Sequence, residues 1–262
     1  MVTIDDIRKI GQPPEKMRKD PYVHILRKIS PYFTKFFVEH QITANQTSSF
    51  SVLFGIVGDL LFVSGNYPLM LLGCVFFQFH HLFDCVDGEI ARVTDDITLG
   101  GHYLEGIHNA VLESGFMACF GIGLFKMWGS IAFLYSGFIF ALSTSLLHHF
   151  NRTSKWVIEC IGKEKEYVFP LMRKQSILGG IHKSIYRKVR LLFLFHNAYL
   201  IVACILLFEI LSPIKLSYTI YGLPLSPLSL YFLLYGIDWL TRTVVSSATN
   251  YRYLMRIQKH MH

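Results

Sequence analysis

The chain has 262 residues, of which 52% are hydrophobic and only 16% charged, with mean hydropathy +0.38 and formal net charge +7. A soluble domain carries about 25% charged residues, so this composition excludes an ordinary soluble protein and indicates an integral membrane protein. The cysteines (Cys74, Cys85, Cys119, Cys160, Cys204) show no CxxC pairing, which excludes a disulfide framework and a zinc site.

In chain order, MVTIDDIRKIGQPPEKMRKD is polar and lacks the apolar stretch of a secretory leader, so none is expected. Tyr22 to Val38 reads as an interfacial helix. Ile25, Leu26, Ile29, Phe33, Phe36 and Phe37 form its apolar face, Arg27, Lys28 and Lys35 lie outside it, and Pro31 should kink or restart it. About six spans follow, judged against the roughly 20 residues a bilayer core requires. Their apolar stretches run near Phe50 to Val63, Pro68 to Phe83 with a polar extension to Arg92, and Gly101 to Phe125. The remaining three run near Trp128 to Phe150, Leu191 to Leu211 and Leu225 to Ala248.

This gives an all-α membrane protein in three parts. Residues 1–48 form an N-terminal segment with the interfacial helix, 49–250 a six-helix domain with a basic loop at 151–190, and 251–262 a tail. Lysine and arginine crowd ahead of the first span (Lys16, Arg18, Lys19), in the loop (Arg152 to Arg190) and in the tail (Arg252, Arg256, Lys259). The opposite side shows little beyond Lys126 and Lys215. The positive-inside rule therefore puts both termini, and the turn between spans two and three, in the cytoplasm. The basic loop reads as a topology determinant touching anionic lipid.

Within this frame, residues 84 to 109 stand out. On one helix Asp84, Asp87, Gly88 and Ala91 share a face at spacings of three and four. On the next, Gly101, Glu105, Asn109 and Glu113 share another, with His102 and His108 beside them. Two antiparallel helices joined by a short turn bring Asp84, Asp87 and Glu105 to one point. Such oxygen ligands suit hard cations such as magnesium, manganese or calcium. Gly88, Ala91 and Gly101 leave room for a phosphorylated ligand, and Arg92 supplies a fixed positive charge suited to phosphate. Asp95 and Asp96, in the turn itself, read as solvated.

The stretch resembles the signature of the CDP-alcohol phosphotransferase family: D-x2-D-G-x2-A-R, eight residues, then G-x3-D-x3-D. Asp84, Asp87, Gly88, Ala91, Arg92 and Gly101 match at the right spacing. ITANQT at 42–47 resembles the family's I-T-P-N-x-x-T segment, with Ala44 in place of proline. The resemblance implies a homodimeric membrane phosphotransferase of phospholipid or surface-glycolipid biosynthesis, its active site facing the cytoplasm. Its donor is a CDP-linked alcohol, its acceptor a lipid or a polyol or glycan hydroxyl, and CMP is released; nucleic acid is not a partner. It further implies that Asp84, Asp87, Gly88, Ala91, Arg92 and Gly101 bind the nucleotide, and that Asp84, Asp87, Glu105 and Asn109 hold two magnesium or manganese ions.

Two positions depart from the pattern. The third aspartate is Glu105, which can still bind metal, and the fourth is Asn109, whose carboxamide cannot take up a proton at working pH. His108 is the first candidate for a replacement base, ahead of His102 and Glu113. Alternatively the metals lower the acceptor's pKa without a protein base, or the acceptor needs none, or the chain is catalytically dead and binds nucleotide or lipid without transfer.

Other polar residues lie inside apolar runs. Asp238 and Arg242, four apart in span six, read first as an intramembrane ion pair, and Arg242 as a possible contact to a lipid phosphate. His80 and His81 read as groups that orient a ligand. His148, His149, Asn151 and Arg152 close span four; they read as interfacial, or, for Arg152, as a contact to an acceptor phosphate. Ala110, Ser114 and Ala118 form a small-residue stripe suited to close helix packing and to a dimer interface.

Overall fold

The computed structural model describes residues 2–13, 21–97, 99–160, 195–212, 218–220 and 223–259. They are almost entirely helical. A short helix α1 (Ile4–Asp6) continues into a π-helical turn, Ile7–Gly11. The longer helices are α2 (Pro21–Glu39), α3 (Ala44–Phe62), α4 (Tyr67–Val93), α5 (Leu99–Trp128), α6 (Ile131–Cys160), α7 (Phe195–Leu211) and α8 (Pro227–Lys259). A small antiparallel hairpin, β1 (Tyr218–Ile220) with β2 (Leu223–Leu225), precedes α8.

The boundaries follow from local chemistry. Thr43 caps α3 through a reciprocal pair with Gln46, so the ITANQT segment is a capping box. Asn66 caps α4 and Pro68 occupies its first turn, where a missing N–H costs nothing. Asp95, at φ 55, turns the chain out of α4, and the Asp96 N–H satisfies the Ala91 carbonyl at 2.9 Å. Asp95 and Asp96 are exposed, as read from sequence.

Tyr67–Val93, Ala110–Trp128 and Ile131–Thr153 are long and apolar enough to cross a membrane. The described part of α7 is apolar but shorter, and α3 and α8 are diluted by polar side chains such as Asp59, Asp238 and Arg242. Residues 191–194 of the fifth predicted span, and residues 161–190 of the basic loop, lie outside the described residues.

The helices meet around an aromatic core. Phe77 stacks on Tyr199 with centroids 3.5 Å apart, Phe62 meets Phe116 edge-on at 5.1 Å, and Phe120 meets Phe232 at 5.1 Å. Helices α5 and α6 touch backbone to backbone: a Cβ on Gly121 would lie 2.7 Å from the Gly137 Cα. Ser114 also bonds Ser145 at 2.7 Å. Ser114 of the small-residue stripe thus packs on α6 of the same chain, the close helix packing expected of the stripe.

Helix α2 differs from expectation at Pro31. It runs unbroken through Pro31. Proline removes the N–H that would bond the carbonyl four residues back, that of Arg27; Gln12 replaces it, its Nε2 donating to the Arg27 oxygen at 2.7 Å. Its apolar residues are divided, with Phe33 and Phe37 packing on Phe83 of α4. Ser30, Thr34 and Phe37 are buried, whereas Ile25, Ile29 and Phe36 are about half exposed.

Candidate functional site

Cross-helix contacts fix which ends of the helices lie together. Ser48 on α3 donates to Asp87 on α4, while Ser51, about one turn on, bonds His80, two turns back (2.8 Å). Helices α3 and α4 are therefore antiparallel, and the polar end of α4 lies beside the start of α3. The chain leaves α4 at a turn around Asp95, and His108 on α5 comes within electrostatic reach of both Asp84 and His80. The two halves of the acidic stretch thus share one end of the bundle.

Asp84 is exposed and Asp87 half-buried, three residues apart on α4. Ser48 occupies one oxygen of Asp87 and orients the carboxylate. Hard oxygen donors of this kind fit a divalent cation. Among the described residues no group of three or more His, Cys, Asp or Glu converges on one point. The backbone of Gly101, Glu105 and Asn109 lies on α5, but their side chains, and that of His102, lie outside the described ones.

Arg92 does not extend freely. Its Nε donates to the Gly11 carbonyl at 2.6 Å, and its guanidinium lies over Gly88, where a Cβ would sit 3.2 Å from Nη1. The space read at Gly88 is therefore filled by Arg92. Ala91 is half-buried on the same face.

Helices α6 and α8 complete this end. A Cβ on Gly106 would lie 1.6 Å from Arg152 Nη2, so the guanidinium of Arg152 rests directly on α5, one residue beyond Glu105. Glu113 accepts from His148 Nε2 at 2.7 Å, which makes Glu113 a partner of α6. His148 stacks on Trp239 with centroids 6.3 Å apart, and Arg242 lies 5.2 Å over the Trp239 ring while pairing with Asp238 at 2.5 Å. Arg242 is thus engaged in the ion pair read from sequence. Asn151 accepts from Ser246 (2.7 Å) and Asn250 (3.3 Å) on α8.

His80 is buried and held by Ser51; His81 packs against Tyr22 and Tyr199. Two acids escaped sequence reasoning. Glu89, within the acidic stretch, is fully buried and accepts from Ser30 (2.5 Å), Thr34 (2.6 Å) and Gln12 (2.7 Å). Asp59 on α3 is 5% exposed and faces Gly115, and its Oδ1 has no hydrogen-bond partner among the described residues. Its signal was present in sequence: a lone carboxylate in an apolar run is a functional candidate.

Residues 41–221 match the family model described as CDP-alcohol phosphatidyltransferase. No curated protein matches the chain. The matched stretch begins after α2 and ends before α8.

Proposed function

The chain belongs to the CDP-alcohol phosphatidyltransferase family, and from that premise we propose that it transfers a phospho-alcohol group from a CDP-alcohol to an acceptor hydroxyl. The observation that supports the reading is that His108 on α5 lies within electrostatic reach of Asp84 on α4. Asp84, Asp87, Glu105 and Asn109 are the residues that would hold two magnesium or manganese ions. Bound there, such ions neutralise the diphosphate and the charge that develops on it.

The acceptor oxygen attacks the phosphorus distal to cytidine, forming one P–O bond as the bond to the CMP oxygen breaks. The acceptor proton passes to a base, for which His108 is the candidate next to Asn109. Arg92, lying over Gly88, and the backbone around Ala91 and Gly101 are assigned to the nucleotide. Arg152, whose guanidinium rests on Gly106, is assigned to an acceptor phosphate. Catalysis on this scheme is mostly positioning and electrostatics. The site faces the cytoplasm of a cellular membrane, and the protein works as a homodimer.

A second reading rests on Asn109: a homologue that binds nucleotide or lipid without transfer. CMP release from a panel of CDP-alcohols, with magnesium or manganese and protein shown to be folded, separates the two. Release with any donor supports the transferase. No CMP with every donor sinks it, and a large gain on Asn109→Asp from an inactive wild type then supports the second reading.

A further inference from the structure

Glu89 accepts from three neutral donors, Ser30 and Gln12 on Oε1 and Thr34 on Oε2. Two guanidinium groups stand beside it. Arg92 on α4 bonds a backbone carbonyl, that of Gly11. Arg27 on α2 is close enough for its charge to act on Arg92 and on Cys85. Arg27 Nε and Nη1 are buried, and neither has a hydrogen-bond partner among the described residues. No carboxylate among the described residues pairs with either arginine.

A buried guanidinium with unsatisfied N–H groups is costly, and a neighbouring like charge adds to that cost. Both costs vanish if an anion binds between them. The position points to the source. Cys85, within reach of Arg27, lies about 100° round α4 from Asp84, and Asp84 and Asp87 act on the same thiol. Arg27 and Arg92 are also tied to one segment, since the Arg27 carbonyl accepts from Gln12 and Arg92 Nε donates to the Gly11 carbonyl, so both arginines belong to the seam between α2 and α4.

We propose that Arg27 is a phosphate-binding residue, which together with Arg92 takes the diphosphate of the donor nucleotide. Arg27 lies outside the stretch matched to the family, so the helix ahead of the matched domain supplies part of the site. A planar guanidinium suits two phosphate oxygens at once, which lysine cannot reproduce. This assignment rests on the transferase reading for the nature of the anion. A phosphate ester on an anionic lipid shares the chemistry, and the test separates the two.

The full chain in phosphatidylcholine nanodiscs is titrated with CDP and with cytidine, for wild type, Arg27→Gln and Arg27→Lys. In parallel, melting is compared with and without phosphatidylglycerol. The expected result is a CDP affinity about tenfold or more weaker in Arg27→Gln, within the range of a charged hydrogen bond. Arg27→Lys loses less, and cytidine binding does not change. If CDP binding is unaffected but stabilisation by phosphatidylglycerol disappears, Arg27 is still a phosphate site, with lipid as its source. If neither changes in Arg27→Gln or Arg27→Lys, the proposal is overturned. A wild type that fails to bind CDP refutes the transferase reading instead, and the lipid comparison still decides Arg27.

Discussion

Thr34 on α2 donates to Glu89 on α4 at 2.6 Å, and neither residue is exposed to solvent. This bond ties the helix ahead of the matched domain to the middle of the acidic stretch. Thr34→Val keeps the shape and deletes the donor, leaving a buried carboxylate oxygen short of one hydrogen bond. The expected loss is about 1–3 kcal/mol of stability, read as a lower melting temperature, with Thr34→Ser close to wild type. Equal melting of Thr34→Val and wild type would show that the bond contributes nothing.

Pro31 and Gln12 should be energetically coupled. Gln12 bonds the carbonyl that Pro31 leaves without a helical partner. Pro31→Ala restores an N–H that can bond the same oxygen. Gln12→Ala should therefore cost less in the Pro31→Ala background than in wild type, with a coupling of about 0.5–3 kcal/mol. The double-mutant cycle isolates this coupling although Gln12 also bonds Glu89. Additive effects would show that the carbonyl is satisfied some other way.

Much of this arrangement could be read locally, and the rest could not. Sequence placed the second span from Pro68 with a polar extension to Arg92, and α4 runs Tyr67–Val93, because its cap, its proline and its turn at Asp95 all act within a few residues. The shared face of Asp84 and Asp87 follows equally from helical spacing. Glu89 was passed over because its partners lie 55 to 77 residues away, where spacing along one helix says nothing. Helix α2 continues through Pro31 for a related reason: a distant glutamine offsets the proline, and the hydroxyls of Ser30 and Thr34 engage a carboxylate on another helix.

Replacing His108 tests the chemistry of the departing positions. Asp84→Ala should abolish CMP release if Asp84 holds the metals as proposed. His108→Ala should lower the turnover rate by about 10²–10⁴-fold, the usual worth of a positioned general base, with less change in KM. Near-normal turnover in His108→Ala beside a dead Asp84→Ala would remove the histidine from the mechanism. Addition of excess EDTA should likewise stop CMP release, and magnesium or manganese should restore it.

Gly106 offers a way to move Arg152 without deleting it. A methyl group at Gly106 would overlap Arg152 Nη2, built at 1.6 Å, so the guanidinium must leave its seat on α5. Arg152 is exposed, and the clash is with the far end of a flexible side chain, so the displacement itself costs little. Alanine is also the better helix former, by about 1 kcal/mol. Gly106→Ala should therefore melt at or above the wild-type temperature. If Arg152 holds an acceptor phosphate, the same variant should raise KM for the acceptor severalfold while leaving KM for the CDP-alcohol unchanged. Arg152→Gln should do the same, and the double variant should be no worse than either, because both remove one contact. Kinetics indistinguishable from wild type in both single variants would return Arg152 to an interfacial role.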